Sequence, residues 1–183
     1  MNDPFETDVA RDDQLVLVDA LDRELGTASK ERAHREGLLH RAFSVVLTRE
    51  DAAGPELLLA RRAPGKYHSA GLWANSCCSH PRAGERLEDA VPRRLREELG
   101  CGARGLREIG SCVYRTDFGG LYEFEFDHVF LGEVEGTPEP EPSEVDALRW
   151  VDAETLAQEI AAQPQRFASW ALTVLPMALA SLC

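Results

Sequence analysis

The stretch Trp73–Glu85, WANSCCSHPRAGE, sets two adjacent thiols two residues ahead of a histidine and closes on a Gly-Glu pair. Three chemistries are open to Cys77 and Cys78: a redox pair, half of a metal site, or a buried doublet hiding one reactive thiol. Adjacent cysteines strain a mutual disulfide, and no second Cys pair completes a zinc site, so the first two rank last. A second stretch, LYEFEFDHVF, alternates along a strand, with Tyr122, Phe124 and Phe126 on one face and Glu123, Glu125 and Asp127 on the other. The ordinary reading puts the acids in water. The alternative is that Glu123 and Glu125 chelate a metal with nearby histidines. His34, His40 and His80 are the candidates, whereas His68 and His128 read as surface or hydrogen-bonded residues. Imidazoles with carboxylates suit Zn²⁺, Mn²⁺ or Fe²⁺ rather than Ca²⁺, so a site of three histidines and two glutamates is possible.

The segment RRLREELG holds Arg94 and Glu98 four residues apart, on one helical face. They are either a surface ion pair worth about 0.2–0.5 kcal/mol, or a phosphate-binding cation beside a Mg²⁺ ligand. LLLARRAPGKYHSAGLW adds Arg61, Arg62 and Lys66, a basic group in an acidic chain. Diphosphate binding needs this combination of cationic side chains and a hard, oxygen-liganded Mg²⁺.

These residues must be carried by strands and helices that the pattern outlines. Gln14–Ala20 alternates as a strand, followed by a turn through DRELGTA and a short polar helix, SKERAHREG, bearing Lys30 and His34. Leu38–Glu50 and Glu56–Ala63 form an antiparallel hairpin across DAAGP. Leu87, Ala90, Val91, Leu95 and Leu99 recur at helical spacing, with Gly100 or Gly102 to end the helix. Pro92 falls inside it, so a kink or a later start is expected. Further strands are predicted at EIGSCVYRTD, LYEFEFDHVFLGEV and ALRWVD, and helices at AETLAQEIAAQ and over Ala168–Cys183, while GTPEPEPSE reads as an exposed loop. The order indicates a mixed α+β sandwich rather than a regular βαβ succession.

At 183 residues the chain suits one domain, residues 13–183, after an acidic segment 1–12 expected to be disordered. That segment has neither the basic nor the apolar part of a secretory signal, and no apolar run reaches bilayer length. Five cysteines without a signal fit a reducing compartment, so a cytoplasmic location is expected. A formal net charge of −12 disfavours nucleic acid and anionic membrane as partners. A monomer or weak homo-oligomer acting on a small anion is the expectation.

GERLEDAVPRRLREELG resembles the Nudix box. Aligned on Gly100, the chain supplies Glu85, Arg93, Leu95, Glu97, Glu98 and Gly100. It departs where Ser79 stands for the first Gly, and where Arg94 stands for the first Glu of Arg-Glu. With those departures, GLLHRAFSVVL, RRAPGK, GLWANSCCSHP and YEFE resemble type 1 isopentenyl-diphosphate Δ-isomerases, Nudix-fold enzymes, from about Gln14 to Trp170. The resemblance implies a Nudix-like mixed β-sheet sandwich flanked by helices. It implies interconversion of isopentenyl and dimethylallyl diphosphate through a tertiary carbocation. It further implies that Cys78 is the catalytic thiol and that Tyr114 and Glu125 act on the opposite side of the alkene. His34, His40, His80, Glu123 and Glu125 would bind one Mn²⁺ or Zn²⁺. Lys30, Arg62, Lys66 and Arg94 would grip the diphosphate, with Glu98 on its Mg²⁺, and Trp170 would offer an aromatic face to the cation. Cys77 is left to packing. The competing expectations are a Nudix hydrolase of a prenyl or nucleoside diphosphate, and a non-catalytic module on the same fold.

Overall fold

A computed structural model describes residues 14–52 and 54–182. The expectation for segment 1–12, and Cys183, lie outside these residues. The first strand, β1 (Gln14–Val18), returns as β2 (Glu24–Ser29), pairing Gln14 with Ser29. The turn expected across Asp22–Ala28 is confined to the residues around Asp19, whose carboxylate accepts from the Leu21 and Arg23 amides at 2.9 and 3.0 Å. That side chain completes the reversal early, and the rest of the segment pairs as a strand.

Helix α1 (Lys30–Glu36) starts where Ser29 Oγ accepts from the Arg32 amide at 3.2 Å. It stops at Gly37, whose φ of 64° lies in the left-handed region. The roughly two turns between them aim His34 inward, and the chain enters β3 (His40–Asp51) three residues after Gly37.

Strand β3 is the hub. Its start pairs with β1 at Leu17, its middle with β6 (Cys77–Ser79), and its end with β4 (Gly54–Arg62) in the expected hairpin. Along its other edge β8 (Tyr122–Glu135) runs parallel, from His40 opposite Glu125 to Thr48 opposite Glu133. β8 forms a long antiparallel pair with β7 (Gly102–Asp117), while β4 also pairs with β5 (Trp73–Ala74) and β9 (Val145–Asp152). The mixed sheet agrees with the expected α+β class.

Helix α2 (Leu87–Leu99) covers one face, burying Val91, Leu95 and Leu99 against Phe43, Val45 and Leu47. Three such fully buried side chains contribute about 1.5–3 kcal/mol each, more than the roughly 3 kcal/mol that Pro92 costs in a helix interior. The helix therefore begins at Leu87 and runs through the proline. The opposite face is covered by α3 (Ala153–Ala162), a 3₁₀ turn at Pro164–Arg166, and α4 (Ala171–Leu182), with Val46, Val129, Trp170, Val174 and Leu175 between them. No helix of the described residues is long and apolar enough to cross a membrane.

Candidate active site

Strand β8 inverts the usual amphipathic pattern. Glu123, Glu125 and Asp127 are 6%, 7% and 0% exposed, whereas Tyr122, Phe124 and Phe126 are only partly buried. The reading with acids in water is thereby excluded. Three carboxylates in a protein interior are costly unless hydrogen-bonded or paired, and each has found partners.

Glu125 faces His40 across the parallel β3–β8 register and Tyr114 across the antiparallel β7–β8 register. Its Oε1 accepts from His80 Nε2 at 2.9 Å and lies 3.6 Å from His40 Nε2, and its Oε2 accepts from the Tyr114 hydroxyl. Burial would raise its pKa, but the neighbouring His40 and His80 rings outweigh burial and hold Glu125 well below the carboxylate range. Glu123 goes the other way, to about 9, through burial first and then the charge of Glu125. Tyr114 is pushed well above the usual phenol value by burial and by the charge of Glu125, so its hydroxyl stays protonated.

His34, His40, His80 and Glu123 bring one ligand atom each to within 4.8 Å of one another. His40 Nδ1 donates to the Leu38 carbonyl at 2.9 Å, which leaves the Nε2 lone pair facing the cluster. His34 Nε2 and His40 Nε2 are buried with no hydrogen-bond partner. Burial lowers the pKa of His34 to about 3 and of His80 to about 4, so both rings are neutral. Neutral imidazoles with unsatisfied lone pairs beside a carboxylate are the donor set of a divalent transition metal, and the residues present fit such an ion. Glu125 lies against the same group through His40 and His80.

The cysteine pair is divided by the pleat of β6. Cys78 stands opposite Ser44 and Cys77 opposite Val45, so their side chains leave the sheet on opposite faces. Cys77 sits in the α2 core, 2% exposed, with its thiol donating to Glu98 Oε2 at 3.4 Å. Cys78 borders the cavity. Its thiol donates to Asn75 Oδ1 at 3.0 Å, its sulfur accepts from Trp170 Nε1 at 3.1 Å, and Ser44 Oγ lies 3.4 Å away. Burial pushes Cys78 up to about 12, which keeps it a neutral thiol able to donate a proton. Ser44 in turn donates to Asp127 Oδ2 at 2.7 Å, and burial raises Asp127 well above its ordinary value.

One cavity joins these groups to four cations. Cys78, His80, Tyr114, Glu123, Glu125 and Trp170 line it, and so do Lys30, Arg62, Lys66 and Arg94. Arg62 lies over the Trp170 ring at 5.0 Å and donates to the His68 carbonyl at 3.3 Å, Lys66 meets Glu144 at 2.5 Å, and Lys30 sits 5.8 Å from the Tyr67 ring centre. Arg94 pairs with Glu98 and, at 2.9 Å, with Glu97. Glu98 is 5% exposed, so this is a buried pair lining the cavity and not a surface one. Burial raises the Glu98 carboxyl, and Arg94 opposes that rise.

The catalytic, metal-binding and diphosphate-binding candidates thus border one cavity or the histidine cluster beside it, whereas Arg61 of the basic group is outside the lining and pairs with Asp146 at 2.7 Å. Others had not been singled out. His68 donates to Glu123 Oε1 at 2.9 Å and stacks on Phe118 at 4.2 Å, which makes it a hydrogen-bonded residue inside the site. His128 bonds Glu108 and Asp22 away from it. Ser44, Asn75 and Tyr67 carried no spacing signal, whereas Asp127 was marked by the same alternation as the two glutamates.

Residues 38–171 match the NUDIX domain. The chain is 48% identical over 160 residues to isopentenyl-diphosphate Delta-isomerase 2 of Aromatoleum aromaticum, covering 87% of this chain and 82% of that protein. It is 49% identical over 160 residues to the isopentenyl-diphosphate Delta-isomerase of Burkholderia multivorans, covering 87% and 89%. In fold it is similar to DR0079 from Deinococcus radiodurans, with a TM-score of 0.71 at 23% identity over 89% of this chain and 97% of that one. A MutT NUDIX hydrolase from Burkholderia pseudomallei superposes with a TM-score of 0.61 at 21% identity, over 76% and 97%.

Proposed function

We propose, for a chain that belongs to the isopentenyl-diphosphate Δ-isomerase family of NUDIX-domain proteins, that this cavity interconverts isopentenyl and dimethylallyl diphosphate. The observation that carries the reading is one cavity lined by a neutral thiol, a Tyr-Glu pair, an indole and four cations. The reaction adds a proton to the terminal alkene carbon and removes one from the carbon on the far side of the tertiary centre, so that no atom is lost. An unactivated alkene is a weak base, so acid and base must be well placed and water excluded.

Cys78 and the Tyr114–Glu125 pair are the two proton-handling groups. Cys78 is a protonated thiol whose orientation is set by Asn75 and Trp170. Tyr114 and Glu125 share a hydrogen bond along which a proton can move. Trp170 turns its ring to the tertiary cation, a contact worth about 2 kcal/mol or more when desolvated. Lys30, Arg62, Lys66 and Arg94 bind the diphosphate, and that remote binding orients the reacting carbons.

His34, His40, His80, Glu123 and Glu125 would hold one Mn²⁺ or Zn²⁺, and Glu98 would meet the Mg²⁺ that accompanies the diphosphate. When bound, the transition metal supplies positive charge that keeps both glutamates in place and makes Glu125 a stronger acid. Residues 13–183 act as one catalytic unit, since the cavity lining runs from Lys30 to Trp170. A cytoplasmic setting is part of the same reading, because Cys78 must remain a free thiol.

Hydrolysis is disfavoured by Arg94, which stands where the Nudix pattern has a glutamate and holds Glu98 in an ion pair. The test is incubation with isopentenyl diphosphate and divalent cations, following dimethylallyl diphosphate and free phosphate together. Dimethylallyl diphosphate without phosphate is expected; phosphate release would favour the hydrolase.

A further inference from the structure

The connection between β4 and β5, residues 63–72, carries two side chains with no role so far, Tyr67 and His68, and both reach the same carboxylate oxygen. The Tyr67 hydroxyl donates to Glu123 Oε1 at 2.9 Å, and His68 Nε2 meets that atom at 2.9 Å. As a metal ligand Glu123 would be ionised, and an ionised carboxylate only accepts, which places the His68 proton on Nε2 and leaves Nδ1 to accept from Ser69 Oγ at 3.2 Å. The Tyr67 oxygen keeps a lone pair, which accepts from His34 Nδ1 at 3.2 Å. That fixes the His34 tautomer with a free lone pair on Nε2, the buried and unpartnered nitrogen, 3.6 Å from Glu123 Oε2.

We propose that Tyr67 and His68 are positioning residues that clamp Glu123 and His34 for a divalent transition metal. The inference rests on the metal reading above. With Oε1 held by two donors, Glu123 presents only Oε2, so its carboxylate ligates through one oxygen and cannot rotate. One hydroxyl orients ligands from two separate elements, α1 and β8. The clamp is itself held: the His68 ring stacks on Phe118 at 4.2 Å and stands edge-on to Trp170 at 5.7 Å and to Tyr67 at 4.5 Å. The Tyr67 residue is 52% exposed although its hydroxyl is turned inward, so its ring covers the cluster on the solvent side. Hydrogen-bonding partners behind metal ligands typically change affinity by about 10–100-fold.

The experiment measures Zn²⁺ affinity by chelator competition in the full chain and in Tyr67→Phe, His68→Leu and His68→Gln, with Co²⁺ absorption spectra of the same proteins. Tyr67→Phe and His68→Leu are each expected to weaken Zn²⁺ by about 10–100-fold. His68→Gln, which keeps an N–H near the Nε2 position, should recover most of the loss. The Co²⁺ spectrum of His68→Gln should match the wild type, because His68 stands outside the coordination sphere. Wild-type affinity in both Tyr67→Phe and His68→Leu would overturn the inference and leave the metal reading standing. A Co²⁺ spectrum altered in His68→Gln would overturn it differently, making His68 a ligand. A wild-type chain that binds no Zn²⁺ would sink both. If His68→Leu fails to fold, Tyr67→Phe, which loses one hydroxyl from a half-exposed ring, decides the matter alone.

Discussion

Removing the guanidinium at position 94 should damage stability and turnover by separable routes. Glu98 is 5% exposed and Arg94 is the cation paired with it, so Arg94→Ala leaves a buried carboxylate uncompensated. Breaking such a pair costs about 3–5 kcal/mol. Burial already raises the Glu98 carboxyl, so it can escape by taking up a proton, and the lower figure, about 3 kcal/mol, is the better expectation. For a chain of this size that lowers Tm by roughly 6–12 °C. Turnover suffers separately, because a charge-assisted hydrogen bond to diphosphate is worth about 1.5–3 kcal/mol, or about 10- to 150-fold in kcat/KM. KM should rise, and kcat should fall as the reacting carbons lose their anchor. The assay is differential scanning calorimetry beside steady-state isomerisation across a Mg²⁺ titration, with Arg94→Lys retaining part of both. A lower Tm with unchanged kcat/KM would reduce Arg94 to a structural partner of Glu98. No change in either would refute the reasoning altogether.

Cys78→Ser should lower isomerisation by about 10²–10⁴-fold, the usual worth of a positioned acid or base, while Cys77→Ser keeps most activity; equal losses would mean the pleat assigns the pair wrongly. His40→Ala should lose the transition metal proposed for this cluster together with activity, since its orphaned Nε2 is one of the proposed ligands; elemental analysis showing full occupancy would remove it from the cluster. Affinity of the apo chain for Mn²⁺ should rise with pH. Glu123 keeps its proton up to about 9 while His34 and His80 are already neutral, so binding releases chiefly the Glu123 proton, at about one log unit per pH unit below that value. A flat profile between pH 6 and 8.5 would show Glu123 already ionised.

The sequence made some of this legible, and the reasons differ by residue. Strand β8 could be drawn from its alternation alone, but which face is buried could not, because aromatic residues ordinarily claim the interior; only the histidines of α1, β3 and the segment after β6 reverse the preference. The Cys pair was resolvable in principle, since adjacent strand residues must diverge, though which thiol faces the cavity depends on the register of β6 against Ser44. β2 was misread as a turn because Glu24 and Gly26 are weak strand formers, and pairing with β1 overrides them. Pro92 cast doubt on a helix that its buried face sustains. Tyr67 and His68 were invisible as site residues: they sit in a loop with no period, and only the folding of that loop over Glu123 brings them to the ligands.

The central claim is that this chain moves one proton on and another off a prenyl diphosphate without breaking the phosphate ester. Its most direct measurement is incubation of the metal-loaded protein with isopentenyl diphosphate and Mg²⁺ in D₂O, read by NMR of the alkenyl carbons and by a free-phosphate assay on the same sample. Deuterium in a methyl group of dimethylallyl diphosphate, with no phosphate released, is the predicted result. Free phosphate, or a dimethylallyl product carrying no solvent deuterium, would contradict the account.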